Sequence, residues 1–156
     1  MANDEKNPRS AETSARRGWM GLLARAPEAR LMELWQGYAP QPGFDWLRRP
    51  ETGAVMVRGR MGGTGAPFNL GEMTVTRCSL ALADGTVGHA YVQGRGKARA
   101  EAAALIDALM QTPAAEAVRR AILDPLAEGM AAARESRAAK AAATKVDFFT
   151  LVRGED

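Results

Sequence analysis

The residues best equipped for chemistry lie in one stretch, RGRMGGTGAPFNLGEMTVTRC, residues 58–78. Gly62, Gly63, Gly65 and Gly71 crowd it, and Arg58, Arg60 and Arg77 flank them. A glycine-rich turn can aim several backbone N–H groups inward as a nest for an anion. Arginines beside such a turn, with Thr64 inside it, can add bidentate contacts to phosphate oxygens. Glu72 can neutralise one of those arginines or meet a cation on a partner. Arg95, in QGRG after the third strand (93–96), joins the cluster if the hairpin returns to the same side of the sheet. A Walker loop is excluded: there is no Gly-Lys-Ser/Thr ending, and a strand follows instead of a helix. The Gly-x-Gly-x-x-Gly spacing for dinucleotides is absent too. The same glycines suit a tight connection between two strands with the arginines on its solvated face. The residue types leave both readings open.

Other constellations are scarce. His89 is the single histidine and Cys78 the single cysteine. A metal site needs three or four ligands, and no His/Cys cluster supplies them. Cys78 and His89 fall on adjacent strands, where a thiol beside an imidazole would make a nucleophile and base. A lone strand histidine is more often a packed or surface residue. There is no Gly-x-Ser-x-Gly elbow. No catalytic residue is assigned.

The elements that position these residues follow from periodicity. Residues 1–9 read as a disordered lead, and 10–156 as a single domain. Ser10 or Thr13 caps a first helix to about Ala26, with Trp19, Leu22 and Leu23 on one face. Pro27 opens a second helix, PEARLMELWQGY, with Leu31, Leu34, Trp35 and Tyr38 at helical spacing. Trp19 and Trp35 read as core aromatics. GYAPQPG is a loop, and Pro50 argues against regular structure in FDWLRRPETG. AVMVRGRM (54–61), EMTVTRCSLAL (72–82) and TVGHAYVQG (86–94) read as three antiparallel strands. Asp84-Gly85 supplies the positive φ angles of the second hairpin. A helix over 97–111 carries Leu105, Ile106, Leu109 and Met110, and Thr112-Pro113 starts another to Leu123. Pro125 breaks or restarts it, and an alanine-rich helix runs on to about Lys145. VDFFTLVRGED then alternates as a strand apolar on both faces, with Phe148, Phe149 and Leu151 within it. Such a strand adds to its own sheet or pairs with a partner chain.

The totals set bounds. At 156 residues the chain suits one domain with a real core. Hydrophobic content is 46%, yet aromatics are 6% and roughly a fifth of the chain is alanine. Alanine favours helix but buries little area. The expectation is α+β: an antiparallel sheet of three to four strands, flanked by N- and C-terminal helices, with a thin core that leans on a partner. Net charge is +3, spread along the chain with no long basic run, which argues against nucleic acid. No apolar stretch suits export or a membrane span. One cysteine fits a reducing, cytoplasmic setting.

ETGAVMVRGRMGGTGAPFNLGEMTVTRC (51–78), DGTVGHAYVQGR (84–95) and KVDFFTLVRG (145–154) together resemble the PhnG family, the small G subunit of the bacterial carbon–phosphorus lyase system. RRGWMGLLARA (16–26) and ALIDALMQ (104–111) fit as well. The resemblance implies a role in phosphonate breakdown inside a core complex with the H, I and J subunits. With the H, I and L proteins, the G subunit is implicated in displacing adenine from MgATP by methylphosphonate. The product is α-D-ribose 1-methylphosphonate 5-triphosphate. The I subunit is thought to carry the nucleosidase chemistry, and the J subunit, an iron–sulfur and S-adenosylmethionine enzyme, later cleaves the carbon–phosphorus bond. No cofactor is implied for this chain, and MgATP is a substrate of the complex. The residues fit that role: the arginine–glycine stretch suits contact with a phosphate-rich ligand or a subunit interface, and the apolar tail suits assembly. A stand-alone anion- or nucleotide-binding domain using MGGTG is the alternative.

Overall fold

The computed structural model describes residues 8–39 and 41–145. Two N-terminal helices, α1 (Pro8–Arg25) and α2 (Glu28–Gly37), precede a sheet of β1 (Phe44–Arg60), β2 (Pro67–Leu82) and β3 (Val87–Gln93). Helix α3 (Lys97–Leu109) and the short α4 (Ala115–Val118) follow. A π turn over Arg119–Leu123 then leads into α5 (Asp124–Ala143). The strands pair antiparallel in the order β1-β2-β3. The fold is α+β, as the hydrophobic pattern predicts. The first residues of the expected lead lie outside the described range, and α1 is already formed at Pro8.

Strand alternation decides which face is covered. On β2, Thr76, Cys78, Leu80 and Leu82 are buried against the helices, whereas Arg77 is exposed and Ser79 and Ala81 are half-exposed. On β3, Ala90 and Val92 join the buried set. Helix α3 lies across this face, buried almost all round, with Ala100, Ala102, Ala103, Ala104 and Ala108 inside beside Leu105 and Ile106. These alanines allow the helix to approach the sheet closely. At Gly88 a Cβ would stand 2.0 Å from the Ala104 carbonyl oxygen, so only glycine fits there. Leu23, Leu31, Trp35, Ile122 and Leu126 close the core from the outer helices.

One buried polar residue ties these pieces together. Asp107 of α3 is fully buried. Its carboxylate accepts from Arg16 Nε at 3.1 Å and Nη2 at 2.6 Å, from Trp19 Nε1 at 2.8 Å and from the His89 backbone N–H at 2.9 Å. Arg16 also donates to the Val87 carbonyl at 3.3 Å, holding α1 along β3. Trp19 is therefore a packed aromatic with a directed indole N–H.

Several local expectations change. Strand β1 runs through Pro50, with register shifts between Trp46 and Arg48 and between Arg48 and Glu51. It is an edge strand, where a residue without an N–H disrupts least. Strand β2 starts at Pro67, earlier than Glu72, because the segment before Glu72 pairs with β1 across a further register shift at Val57/Arg58. In the second hairpin only Gly85 has positive φ, at 83°. Asp84 serves by its side chain, accepting the Thr86 N–H at 2.8 Å. Beyond Met130, α5 is exposed on every side. The apolar tail with Phe148, Phe149 and Leu151 lies outside the described residues.

Removing the fully buried Asp107 carboxylate strands the Trp19 and His89 N–H donors and leaves the half-buried Arg16 without its partner. We expect Asp107→Ala to lower the stability of the isolated chain by about 2–4 kcal/mol, read from the urea midpoint at constant slope.

Candidate interaction site

The arginine–glycine stretch is the tip of a long hairpin. Met61–Gly63 forms a single 3-10 turn, with Gly62 at φ 60° and Gly63 at φ 79°. Side chains seldom adopt those angles, so these two glycines make the reversal possible. The N–H groups of Thr64 and Gly65 both point at the Met61 carbonyl, the latter at 3.0 Å. A Cβ on Gly65 would come within 2.8 Å of that same oxygen. Arg60 Nη1 donates across the turn to the Gly65 carbonyl at 2.9 Å.

Register spreads the remaining cluster along the ribbon. Arg58 stands opposite Asn69 and Arg60 opposite Pro67, both at the tip. Glu72 lies midway, opposite Met56. Arg77 is at the base, opposite Glu51 on one side and Tyr91 on the other. Glu51 and Arg58 are seven positions apart on β1, roughly 23 Å of strand. Arg77 Nε donates to Glu51 Oε1 at 2.6 Å, and Arg48 Nη1 reaches the same oxygen at 2.6 Å. The hydrogen bonds from Arg48 and then Arg77 hold the Glu51 carboxyl below its usual range. All three side chains are exposed, so the pairing adds little stability. Arg95 follows the end of β3, where Gln93 pairs with Val75. The structure thus groups Arg58 and Arg60 with Gly62, Gly63, Thr64 and Gly65. It sets Glu72 farther down, Arg95 just past the Val75–Gln93 pair, and Arg77 below that.

What the sequence did not reveal is how far this hairpin projects. Strand β3 ends because Gly94, at φ 88°, turns the chain into α3 while its N–H bonds the Thr74 carbonyl at 2.8 Å. Past Val75, β1 and β2 continue, among the described residues, as a two-stranded ribbon. Its apolar side chains are bare: Met61 is 78% exposed, Leu70 66%, Met56 52% and Phe68 44%. On the face turned from the helices, Tyr91, Val75, Val55 and Met73 form a stripe running toward the tip. Leu70 continues it by lying over Gly59, 3.5 Å from where a Cβ would stand.

Cys78 and His89 do not meet. Cys78 pairs with Ala90, and His89 with Ser79, so the two side chains occupy opposite faces of the sheet. The Cys78 thiol donates to the Ala100 carbonyl at 3.2 Å, and burial, aided by Glu101, pushes its pKa up to about 12. His89 Nδ1 lies 3.0 Å from Ser79 Oγ on the open face. Among the described residues no group of His, Cys, Asp or Glu is placed to hold a metal ion.

A small α+β chain with a bare, projecting ribbon has the form of an assembly subunit. Residues 14–154 match the model of the family described as phosphonate metabolism protein PhnG. The chain is also 46% identical, over all of both sequences, to the alpha-D-ribose 1-methylphosphonate 5-triphosphate synthase subunit PhnG of Rhizobium meliloti (strain 1021). It belongs to the PhnG family.

The buried thiol makes a testable contrast. At pH 8 we expect iodoacetamide to alkylate Cys78 in the folded chain at least about 10³-fold more slowly than in urea, because the thiolate is the reacting form. The unfolded thiol loses its proton near ~8.5 and the folded one near 12. Its contribution to stability is therefore full below ~8.5 and declines as pH rises above it. Urea midpoints at pH 7 and pH 10 should show that decline in wild type and less of it in Cys78→Ala.

Proposed function

We propose that this chain is an accessory subunit of the carbon–phosphorus lyase core complex. It works with the H, I and J subunits, and with the L protein for activity. The reaction it serves forms α-D-ribose 1-methylphosphonate 5-triphosphate from MgATP and methylphosphonate. A phosphonate oxygen bonds to the ribose C1′ as the bond from C1′ to adenine breaks, and adenine leaves with a proton. The chain's part is assembly and positioning, with the nucleosidase chemistry on the I subunit, in a cytoplasmic setting.

The observation that carries this reading is full-length similarity to a named synthase subunit, joined to a ribbon whose apolar side chains lack cover. Two-stranded ribbons are marginal in water unless something packs on them. The buried, protonated Cys78 and its separation from His89 also favour a non-catalytic part for this chain. The tip turn supports assembly over phosphate binding, because the Thr64 and Gly65 N–H groups that an anion nest would need are spent on the Met61 carbonyl.

The test is co-expression with the H, I and J proteins, tagging only this chain, followed by size exclusion. An adenine-release assay with MgATP, methylphosphonate and the L protein follows. Wild type should co-elute with its partners, and the assembled material should release adenine while the chain alone does not. Failure to co-elute would overturn the reading. Arg60→Ala and Gly63→Val run alongside. We expect both to weaken assembly; normal assembly with adenine release abolished would instead place the tip on the triphosphate.

A further inference from the structure

The ribbon offers more than bare side chains. Strand β2 pairs with β3 only from Val75 to Ala81, while its pairing with β1 continues to Pro67. The β2 edge from Phe68 to Met73 therefore has no ladder partner among the described residues. It is a vacant lane in line with β3, opened where Gly94 turns away. An unpaired edge of this length invites strand addition.

Charge argues about the occupant. The tip carries Arg58 and Arg60, and Arg95 and Lys97 stand just past the end of β3, at the base of the lane. Glu72 is the only acidic residue between Gly53 and Thr74. Two copies joined through this edge by a twofold axis would run antiparallel, setting the tip of each beside the base of the other. Each arm carries Arg58 and Arg60 against the single carboxylate of Glu72, so two arms laid side by side would set like charge against like. A different chain bearing carboxylates avoids that repulsion.

We propose that residues 53–74 form a docking arm for another subunit of the synthase, which adds an extended strand to the Phe68–Met73 edge, packs apolar side chains on Phe68, Leu70 and Met73, and presents carboxylates to Arg58 and Arg60. The proposal rests on the subunit reading above. Strand addition turns a marginal two-stranded ribbon into a three-stranded one. The apolar stripe supplies the packed centre and the arginines the charged rim, the usual anatomy of a specific interface.

The experiment uses the full chain, alone and assembled with the H, I and J proteins. Backbone hydrogen exchange is followed across residues 68–74. We expect exchange there to slow at least about 100-fold on assembly. Phe68→Asp with Leu70→Asp should leave the melting temperature of the isolated chain nearly unchanged, since both side chains are exposed, yet weaken assembly at least about 30-fold. Arg58→Glu should weaken assembly further at low salt than at high salt.

Unchanged exchange over 68–74 in the complex would overturn the proposal, as would normal assembly of the double Asp variant. A dimer of the isolated chain with this edge protected would assign it to a second copy. Faster exchange at this edge in a chain cut after Lys145 than in the full chain alone would assign it to the chain's own residues 146–156. Either result overturns the proposal. If wild type fails to co-elute, the subunit reading falls and the arm with it. If wild type assembles and the arm variants do too, only the arm falls.

Discussion

The Asp107 carboxylate is the constraint around which this protein is arranged. A charge taken out of water is costly unless its hydrogen-bonding capacity is filled, and here it is filled from two elements at once. Arg16 and Trp19 come from α1, and the His89 backbone N–H from β3. An alanine-rich core has little apolar area with which to select one arrangement of helices. Directed polar contacts supply that selection, because a shifted helix would leave the carboxylate unpaired. Arg99 acts in the same sense at the other end of α3, donating to the Ala26 carbonyl at 2.8 Å where α1 gives way to α2.

From this follows the one-sidedness of the sheet. The described helices lie on one of its faces, with α1 held against β3 and α3 pressed on Gly88. The opposite face keeps Arg77, His89 and Tyr91 in the open. Helix α3 begins directly after β3, which lets Ala104 pack on Gly88 and Asp107 meet the His89 N–H, so β3 is short and Gly94 bends the chain away. The hairpin of β1 and β2 then outruns its third strand. The projecting ribbon is a geometric consequence of how closely the helix packs.

Parity explains why the two reactive side chains come to nothing together. Cys78 and His89 are on neighbouring strands at nearly the same level, yet the register pairs Cys78 with Ala90. One position of offset sends the thiol into the core and the imidazole to solvent. The arginines illustrate the same gap between sequence and space. Residues 58–78 look like a cluster in the text, but an extended hairpin lays them out along two strands. Only Arg58 and Arg60 stay with the glycines.

Local chemistry was legible in the sequence. Alternation on 72–82 marked the buried face of β2, helical spacing marked α1, α2 and α3, and Gly85 marked the second turn. The combination of MGGTG, YVQGR and the apolar tail pointed to the PhnG family, which the full-length comparisons show. These features depend on near neighbours along the chain, where steric preference and periodicity act directly. The role of Asp107, the separation of Arg77 from Arg58, the opposed faces of Cys78 and His89 and the vacant edge beside Phe68–Met73 were decided by tertiary structure alone. Each depends on strand register or helix docking, and those are set by contacts between residues far apart in sequence.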